Sequence, residues 1–194
     1  MQRLFAILYF WLTGWKITQG PSRDLKKCVL LAAPHTSNFD FVYGRLGATM
    51  LGMKTRFLIK KEAFRGPMGW LVKQSGGIPV DRKKNNKIIE VVTEQFNKNE
   101  SFYLMVTPEG TRKLVKKWRR GFYAIAMASN VPIGCVYLDY RKREIGLGLV
   151  IHPSGDYEKD LAQIQDFYRD KAARHPDRFS LSPMYADEAV GSRQ

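Results

Sequence analysis

The sequence predicts an α/β domain with a mixed, mostly parallel sheet flanked by helices. Three observations predict it. Short apolar runs alternate along the chain with longer segments of helical periodicity, and that alternation stacks helices on a central sheet. The last two apolar runs, Ile133–Tyr140 and Ile145–Ile151, are separated only by Arg141-Lys142-Arg143-Glu144. That link is short enough for an antiparallel hairpin, so the sheet is expected to be mixed. Hydrophobic residues make up 44% of the 194 residues, which is enough for one domain-sized core and argues against disorder.

The first element, within residues 1–20, is an expected helix. Leu4 to Trp15 is apolar and aromatic, interrupted only by Thr13 and Gly14. Crossing a bilayer takes about 20 apolar residues, so this stretch is too short to span one. It has no small-x-small cleavage site of the kind that ends a signal peptide. Tyr9, Trp11 and Trp15 suit a water–lipid boundary. The expectation is a short interfacial helix lying in one leaflet. Packing on the domain's own core is the alternative, and periodicity alone does not separate the two.

Gly20-Pro21-Ser22 breaks this helix and opens the main domain, residues 21–182. Strands are expected at Cys28–Ala33, Thr55–Ile59, Ile78–Val80, Phe102–Val106, Ile133–Tyr140 and Ile145–Ile151. Helices are expected at Phe39–Leu51, Pro67–Lys73, Lys87–Asn97, Gly121–Ser129 and Tyr157–Arg174. In the third of these, Ile88, Val91, Val92 and Phe96 share one helical face. Residues 183–194 are polar and expected to be a loose tail.

The net charge is +14, from 32 basic and 18 acidic residues. That balance selects anionic partners: nucleic acid, anionic lipid or phosphorylated small molecules. Lys54–Lys87 holds ten basic and two acidic residues, and Thr111–Arg120 holds six basic and none acidic. Phe57, Phe64, Trp70 and Trp118 lie among them. Such a surface suits anionic lipid, at up to about 1 kcal/mol per cation near the headgroups. Cys28 and Cys135 both sit in apolar runs without metal-ligand spacing. They are expected to be core thiols of a protein facing the cytoplasm, not a disulfide. The sequence has no metal-ligand cluster, no phosphate loop and no dinucleotide fingerprint. No metal and no bound cofactor are expected.

The chemistry gathers where apolar runs end, the position at which α/β domains place functional groups. His35 and Asp40 follow Cys28–Ala33, separated by four residues. An imidazole has an ordinary pKa of about 6.5 and accepts protons near neutrality. Asn38 is the expected N-cap of the following helix, with Asp40 in its first turn. There a carboxylate can turn back, fix the imidazole tautomer and stabilise the imidazolium. No Gly-x-Ser-x-Gly elbow or activated cysteine supplies a nucleophile. The expected reaction is therefore attack by a substrate hydroxyl, with His35 removing its proton. The pair taken alone also fits a capping carboxylate beside a hydrogen-bonded histidine.

Two arginines end later motifs. Arg82 closes Gly76-Gly77-Ile78-Pro79-Val80-Asp81-Arg82, and Arg112 closes Pro108-Glu109-Gly110-Thr111-Arg112. A guanidinium carries a fixed charge and a planar fork that matches phosphate oxygens. Gly110 permits a sharp turn, and Thr111 and Arg112 can both donate to phosphate. Glu109 is a candidate for positioning Arg112 or the acceptor. His152 and His175 have no partner at a telling spacing.

In this order, these residues resemble the lysophosphatidic acid acyltransferase family (1-acylglycerol-3-phosphate O-acyltransferases and their glycerolipid relatives). His35-Thr36-Ser37-Asn38-Phe39-Asp40 is similar to its H-x-S-x-x-D block. Gly77 to Arg82 resembles its second block, Glu109-Gly110-Thr111-Arg112 matches its third, and Val131-Pro132-Ile133 is similar to its fourth. Lys60-Lys61-Glu62 and Gly66-Pro67 resemble the stretch before the second block. Four ordered blocks between about Val29 and Val136 are a far stronger signal than any one of them.

The resemblance implies a membrane-associated α/β fold of the glycerolipid acyltransferase type. It implies transfer of a fatty acyl group from acyl-CoA or acyl-carrier protein, as co-substrate, to a lysophospholipid hydroxyl. It further implies His35 as base and Asp40 as its orienter. Arg82, Arg112 and Lys61 would hold phosphate, with Glu109, Gly110 and Thr111 in the acceptor site. An amide near the second block would stabilise the thioester oxyanion, a contribution of about 2.7–4 kcal/mol in comparable sites. The chain departs from the pattern at Pro34, Pro79, Thr107 and Cys135, none of which removes a charged group. These departures leave 1-acylglycerol-3-phosphate, another lysophospholipid and an amino-acid-based lyso-lipid open as acceptors. The expected location is the cytoplasmic face of an anionic membrane, with no nucleic-acid partner. The competing reading is a non-enzymatic basic module that binds membrane or nucleic acid, and it leaves the four blocks unexplained.

Overall fold

The computed structural model describes residues 2–22, 24–65, 68–81 and 85–181. The expected tail, 183–194, and Arg82 lie outside the described residues. Seven strands form one sheet: β1 Lys16–Gln19, β2 Lys27–Ala33, β3 Thr55–Lys60, β4 Gly77–Val80, β5 Phe102–Val106, β6 Ile133–Asp139 and β7 Glu144–Ile151. Their order is β1-β7-β6-β2-β5-β3-β4. Every neighbouring pair is parallel except β6 and β7. The sheet is therefore mixed, and the short 140–143 link makes the expected hairpin. Six helices accompany it: α1 Gln2–Thr13, α2 Asn38–Met50, α3 Met68–Gln74, α4 Asn85–Lys98, α5 Gly121–Ser129 and α6 Tyr157–Tyr168.

β2 is central and buried from Cys28 through Ala33, as its unbroken apolar run requires of a strand covered on both faces. Its alternate residues serve different cores. Val29 and Leu31 pack with Leu104, Ile133, Val92, Phe96, Ile125 and Ile164, on the face covered by α4, α5 and α6. Cys28 and Leu30 pack with Val136, Leu147 and Ala48, under α2. Both cysteines are buried and free, and burial pushes each thiol up to about 12.

The strand order fixes where a site can form. From β2 the chain passes through α2 to β3, on one side. From β5 it passes through α5 to β6, back across β2. Right-handed crossovers in opposite directions put α2 and α5 on opposite faces. The loops leaving β2 and β5 therefore diverge, and a crevice opens between them at the strands' carboxyl ends.

Three expectations change. β1 was not expected: it has one apolar residue that is even partly buried, Ile17, and lies at the sheet edge against β7. α6 stops at Tyr168, short of Arg174, because the chain beyond it leaves the helix and Ala172 O accepts from Tyr140 N at 2.9 Å. α2 starts one residue earlier, capped by Ser37 and not by Asn38. Ser37 is extended (φ −142°, ψ 159°), and its hydroxyl accepts from Phe39 N at 3.2 Å.

The amino-terminal helix divides its faces. Ala6 and Phe10 are buried, and Phe10 joins Trp15, Tyr43, Leu138 and Ile145 in an aromatic cluster over α2. Leu4, Phe5, Leu8, Trp11 and Leu12 are exposed, Trp11 by 75%. No described helix is long and apolar enough to cross a membrane.

Candidate active site

The loop after β2 begins at Pro34, whose peptide bond from Ala33 is cis. It delivers His35 to the crevice and turns at once into α2. Asp40, at the third position of that helix, is buried. Its Oδ2 accepts the amides of Thr36 at 2.6 Å and Ser37 at 2.7 Å, and lies 3.3 Å from His35 Nδ1. Its Oδ1 accepts the Tyr140 hydroxyl at 2.6 Å. The carboxylate thus caps its own helix in a reciprocal box with Ser37, and also orients the imidazole. Burial alone would raise Asp40. Hydrogen bonds from His35, Tyr140, Ser37 and Thr36 outweigh it and hold the carboxyl below its usual range.

The loop after β5 supplies a second buried carboxylate. Glu109 is 2% exposed, and its Oε1 accepts the backbone amide of His35 at 2.9 Å. Its Oε2 has no hydrogen-bond partner among the described residues. Burial pushes its carboxyl up to about 7, against lowering contributions from backbone amides and from His35. Glu109 therefore braces the backbone of His35, and no hydrogen bond among the described residues joins it to Arg112, one of the two roles expected of it. Gly110 turns the chain with φ +64°, a conformation that glycine adopts freely. A Cβ there would sit 2.7 Å from Arg119 Nε.

His35 and Asp40 open onto a cavity of about 840 Å³, within the size range of small-molecule sites. Most of its walls are apolar, among them Phe41, Phe57, Leu58, Ile88, Met105 and Ile125. Polar and charged groups also line it: His35, Asp40, Thr107, Arg119 and Arg120. Arg120 is paired with Glu158 and lies over the Tyr157 ring.

The structure thus brings His35, Asp40 and Gly110 to one cavity, with Glu109 directly behind His35. Lys61, Thr111 and Arg112 are not among the lining residues. Lys61 lies exposed in the 3₁₀ turn after β3, and Arg112 is exposed beyond Gly110. Thr111 is half-buried, and its hydroxyl accepts from Lys113 N at 3.3 Å. Three residues at or behind the site were not expected from sequence. Arg119 and Arg120 belong to the basic run 111–120, which signals charge without saying which side chains face inward. Tyr140 carries no local signal at all, because it meets Asp40 only through the fold. Among the described residues no group of three or more metal-ligating side chains occurs.

Comparison with known proteins gives a fold and a family. No protein of curated function matches the chain by sequence. Among solved structures, the 1-acyl-sn-glycerophosphate (LPA) acyltransferase PlsC from Thermotoga maritima superposes with a TM-score of 0.58. The match covers 100% of this chain and 79% of that one, at 15% identity, and it establishes a shared fold. The acyltransferase family model matches residues 16–139, from β1 to the end of β6, and so takes in the dyad, the Glu-Gly-Thr-Arg loop and every strand except β7. With well over half its length matched by that model, the chain belongs to the acyltransferase family.

Proposed function

We propose that this acyltransferase moves a fatty acyl group from acyl-CoA or acyl-carrier protein to the free hydroxyl of a lysophospholipid, with 1-acylglycerol-3-phosphate as the leading acceptor. The observation that carries the reading is the imidazole–carboxylate pair lining a largely apolar cavity. Nδ1–H of His35 faces Asp40, which leaves Nε2 to take the acceptor's proton. The freed oxygen attacks the thioester carbonyl carbon. The tetrahedral adduct collapses, the C–S bond breaks, and the departing sulfur takes the proton from Nε2. An ester and a free thiol result. The apolar walls suit a hydrocarbon chain, and Arg119 suits an anionic headgroup or carrier. Arg82 and Arg112 remain candidates for the acceptor phosphate.

The same reading places the protein on the cytoplasmic face of an anionic membrane. Support comes from the exposed apolar side of α1 and from Phe41 and Val42 of α2, which are also exposed. The test is a substrate panel: acyl-CoA and acyl-carrier protein, each against several lyso-lipids, with thiol release measured. 1-Acylglycerol-3-phosphate should give the highest kcat/KM. Preference for a neutral or amino-acid-based lyso-lipid would overturn the acceptor while leaving acyl transfer intact. Sedimentation with phosphatidylglycerol vesicles should carry the protein down, and Trp11→Ser should weaken it. Indifference to vesicles would remove the membrane from the reading.

A further inference from the structure

The catalytic pair is held by a third side chain that lies outside every sequence block and just beyond the family match. We propose that Tyr140 is a positioning residue for the base: its hydroxyl locks the Asp40 carboxylate in the orientation that His35 requires and sets how strongly that carboxylate holds the imidazolium. The inference rests on His35 acting as the base.

The geometry is specific. Tyr140 follows the last residue of β6, and its hydroxyl donates to Asp40 Oδ1 at 2.6 Å. The other oxygen, Oδ2, faces the Thr36 and Ser37 amides and His35 Nδ1. With a donor on each oxygen the carboxylate plane cannot rotate without breaking a bond. Burial and the neighbouring carboxylate both push the phenol well above its ordinary value, so it stays protonated and donates.

The ring itself is clamped. Trp15 meets it edge-on, with centroids 4.9 Å apart at 85°, and Tyr43 does so at 6.2 Å and 85°. Its backbone N–H donates to Ala172 O at 2.9 Å. The Arg174 guanidinium lies 4.0 Å from the Phe39 ring centroid and 5.9 Å from that of Tyr140. The next residue, His175, donates its amide to the buried Thr36 hydroxyl oxygen at 3.2 Å. The catalytic loop is thus tied to the end of β6 and to the segment after α6 through contacts that no local sequence pattern reveals.

The consequence is a charge effect of definite sign. A phenol proton on Oδ1 draws negative charge from the carboxylate and weakens its hold on the imidazolium. Removing that proton strengthens the hold, so the imidazolium persists to higher pH. Other ionisable groups facing the dyad are Glu109 behind the His35 backbone, Arg174 and His175 on the segment after α6, Arg119 and Arg120 at the cavity, and Tyr43 on α2. Tyr140→Phe keeps the ring and, of these groups, touches only Arg174, whose guanidinium also interacts with the Tyr140 hydroxyl.

The experiment measures kcat and KM from pH 5 to 9 for wild type, Tyr140→Phe, Asp40→Asn and the double variant. Tyr140→Phe should lower kcat by about tenfold, leave KM for both substrates unchanged, and move the acid limb of kcat/KM to higher pH. In the Asp40→Asn background it should have no further effect, because it acts through that carboxylate. If Tyr140→Phe folds poorly, 3,5-difluorotyrosine placed at position 140 keeps the ring and strengthens the donor. It should move the acid limb the opposite way, to lower pH. An unmoved limb in both substitutions, with only thermal stability reduced, would overturn the proposal and leave Tyr140 a packing residue. His35→Ala separates the two readings: if it stays active, the base assignment fails, whereas a dead His35→Ala beside an unmoved limb condemns only Tyr140.

Discussion

The loops after β2 and β5 stand side by side at the carboxyl ends of central strands, and each buries a carboxylate behind His35. Asp40 receives donors on both oxygens, and its carboxyl is held below the usual range. Glu109 receives the His35 amide on Oε1 and nothing on Oε2, and burial drives it up to about 7. Both are buried, Glu109 more deeply, and only Asp40 has donors on both oxygens, so hydrogen bonds win at Asp40 and burial wins at Glu109. A buried carboxylate with four partners is a stable anion that can orient and stabilise a cation. One whose second oxygen has no partner among the described residues is pushed up towards neutrality, a brace whose charge depends on pH. On the proposed mechanism the first belongs to the chemistry and the second to the scaffold beneath it.

The largest effects test the chemical side. His35→Ala should abolish thiol release, a loss of about 10²–10⁴-fold or more, with little change in thermal midpoint. The lost group is partly exposed, at 22%, and contributes no core packing. Asp40→Asn should cost about as much activity and should also lower the midpoint clearly, because an amide cannot accept all the bonds that this carboxylate accepts. If Asp40→Asn lost activity without losing stability, its capping role would be overstated. If the reverse held, Asp40 would be structural and the dyad wrong.

The second comparison is in pH, and the two carboxylates have opposite signs. Asp40 is depressed in the folded state, so its contribution to stability is present above the unfolded value near 3.8. It is lost as pH falls through the folded value. Glu109 is raised from 4.5 to about 7. Below 4.5 it is protonated in both states. Between 4.5 and 7 the folded protein keeps a proton that the unfolded chain has released, so stability declines as pH rises, and above 7 the deficit is constant. Glu109→Gln keeps an acceptor for the His35 amide and removes the ionisation. It should flatten the decline between pH 4.5 and 7 and gain about 3 kcal/mol at pH 8, read by denaturant unfolding across pH. A wild-type profile that rises through this window would show Glu109 to be ionised without cost.

What the sequence discloses follows the same division. The His35–Asp40 pair is legible because its members are close along the chain and a helix start folds one onto the other. α5 is legible to the residue, from Gly121 to Ser129, because Asn130 takes the left-handed position (φ 49°) that ends a helix. Glu109 behind His35 is separated by 74 positions, and Tyr140 from Asp40 by 100. Neither pairing leaves a periodic or spacing signal. β1 escapes because an edge strand of four residues, with only Ile17 apolar, is stabilised by its ladder and not by its side chains. Asn38 and Ser37 are both good caps, and only the backbone geometry distinguishes them.

The smallest expected effects lie among the cations, where the two loops' neighbours compete for the acceptor. Arg112 ends the sequence motif but is exposed and does not line the cavity, whereas Arg119 lines it beside Gly110. If the phosphate is held at the cavity mouth, Arg119→Ala should raise the acceptor KM by about tenfold, the cost of one charge-assisted contact. Arg112→Ala should raise it less, and both should leave kcat largely unchanged, since binding lost equally from ground and transition states appears in KM. Steady-state kinetics with 1-acylglycerol-3-phosphate at fixed salt would settle the order. A larger effect at Arg112 would mean that its side chain folds inward when substrate arrives, and would give the motif arginine the role that its place in the sequence assigns it.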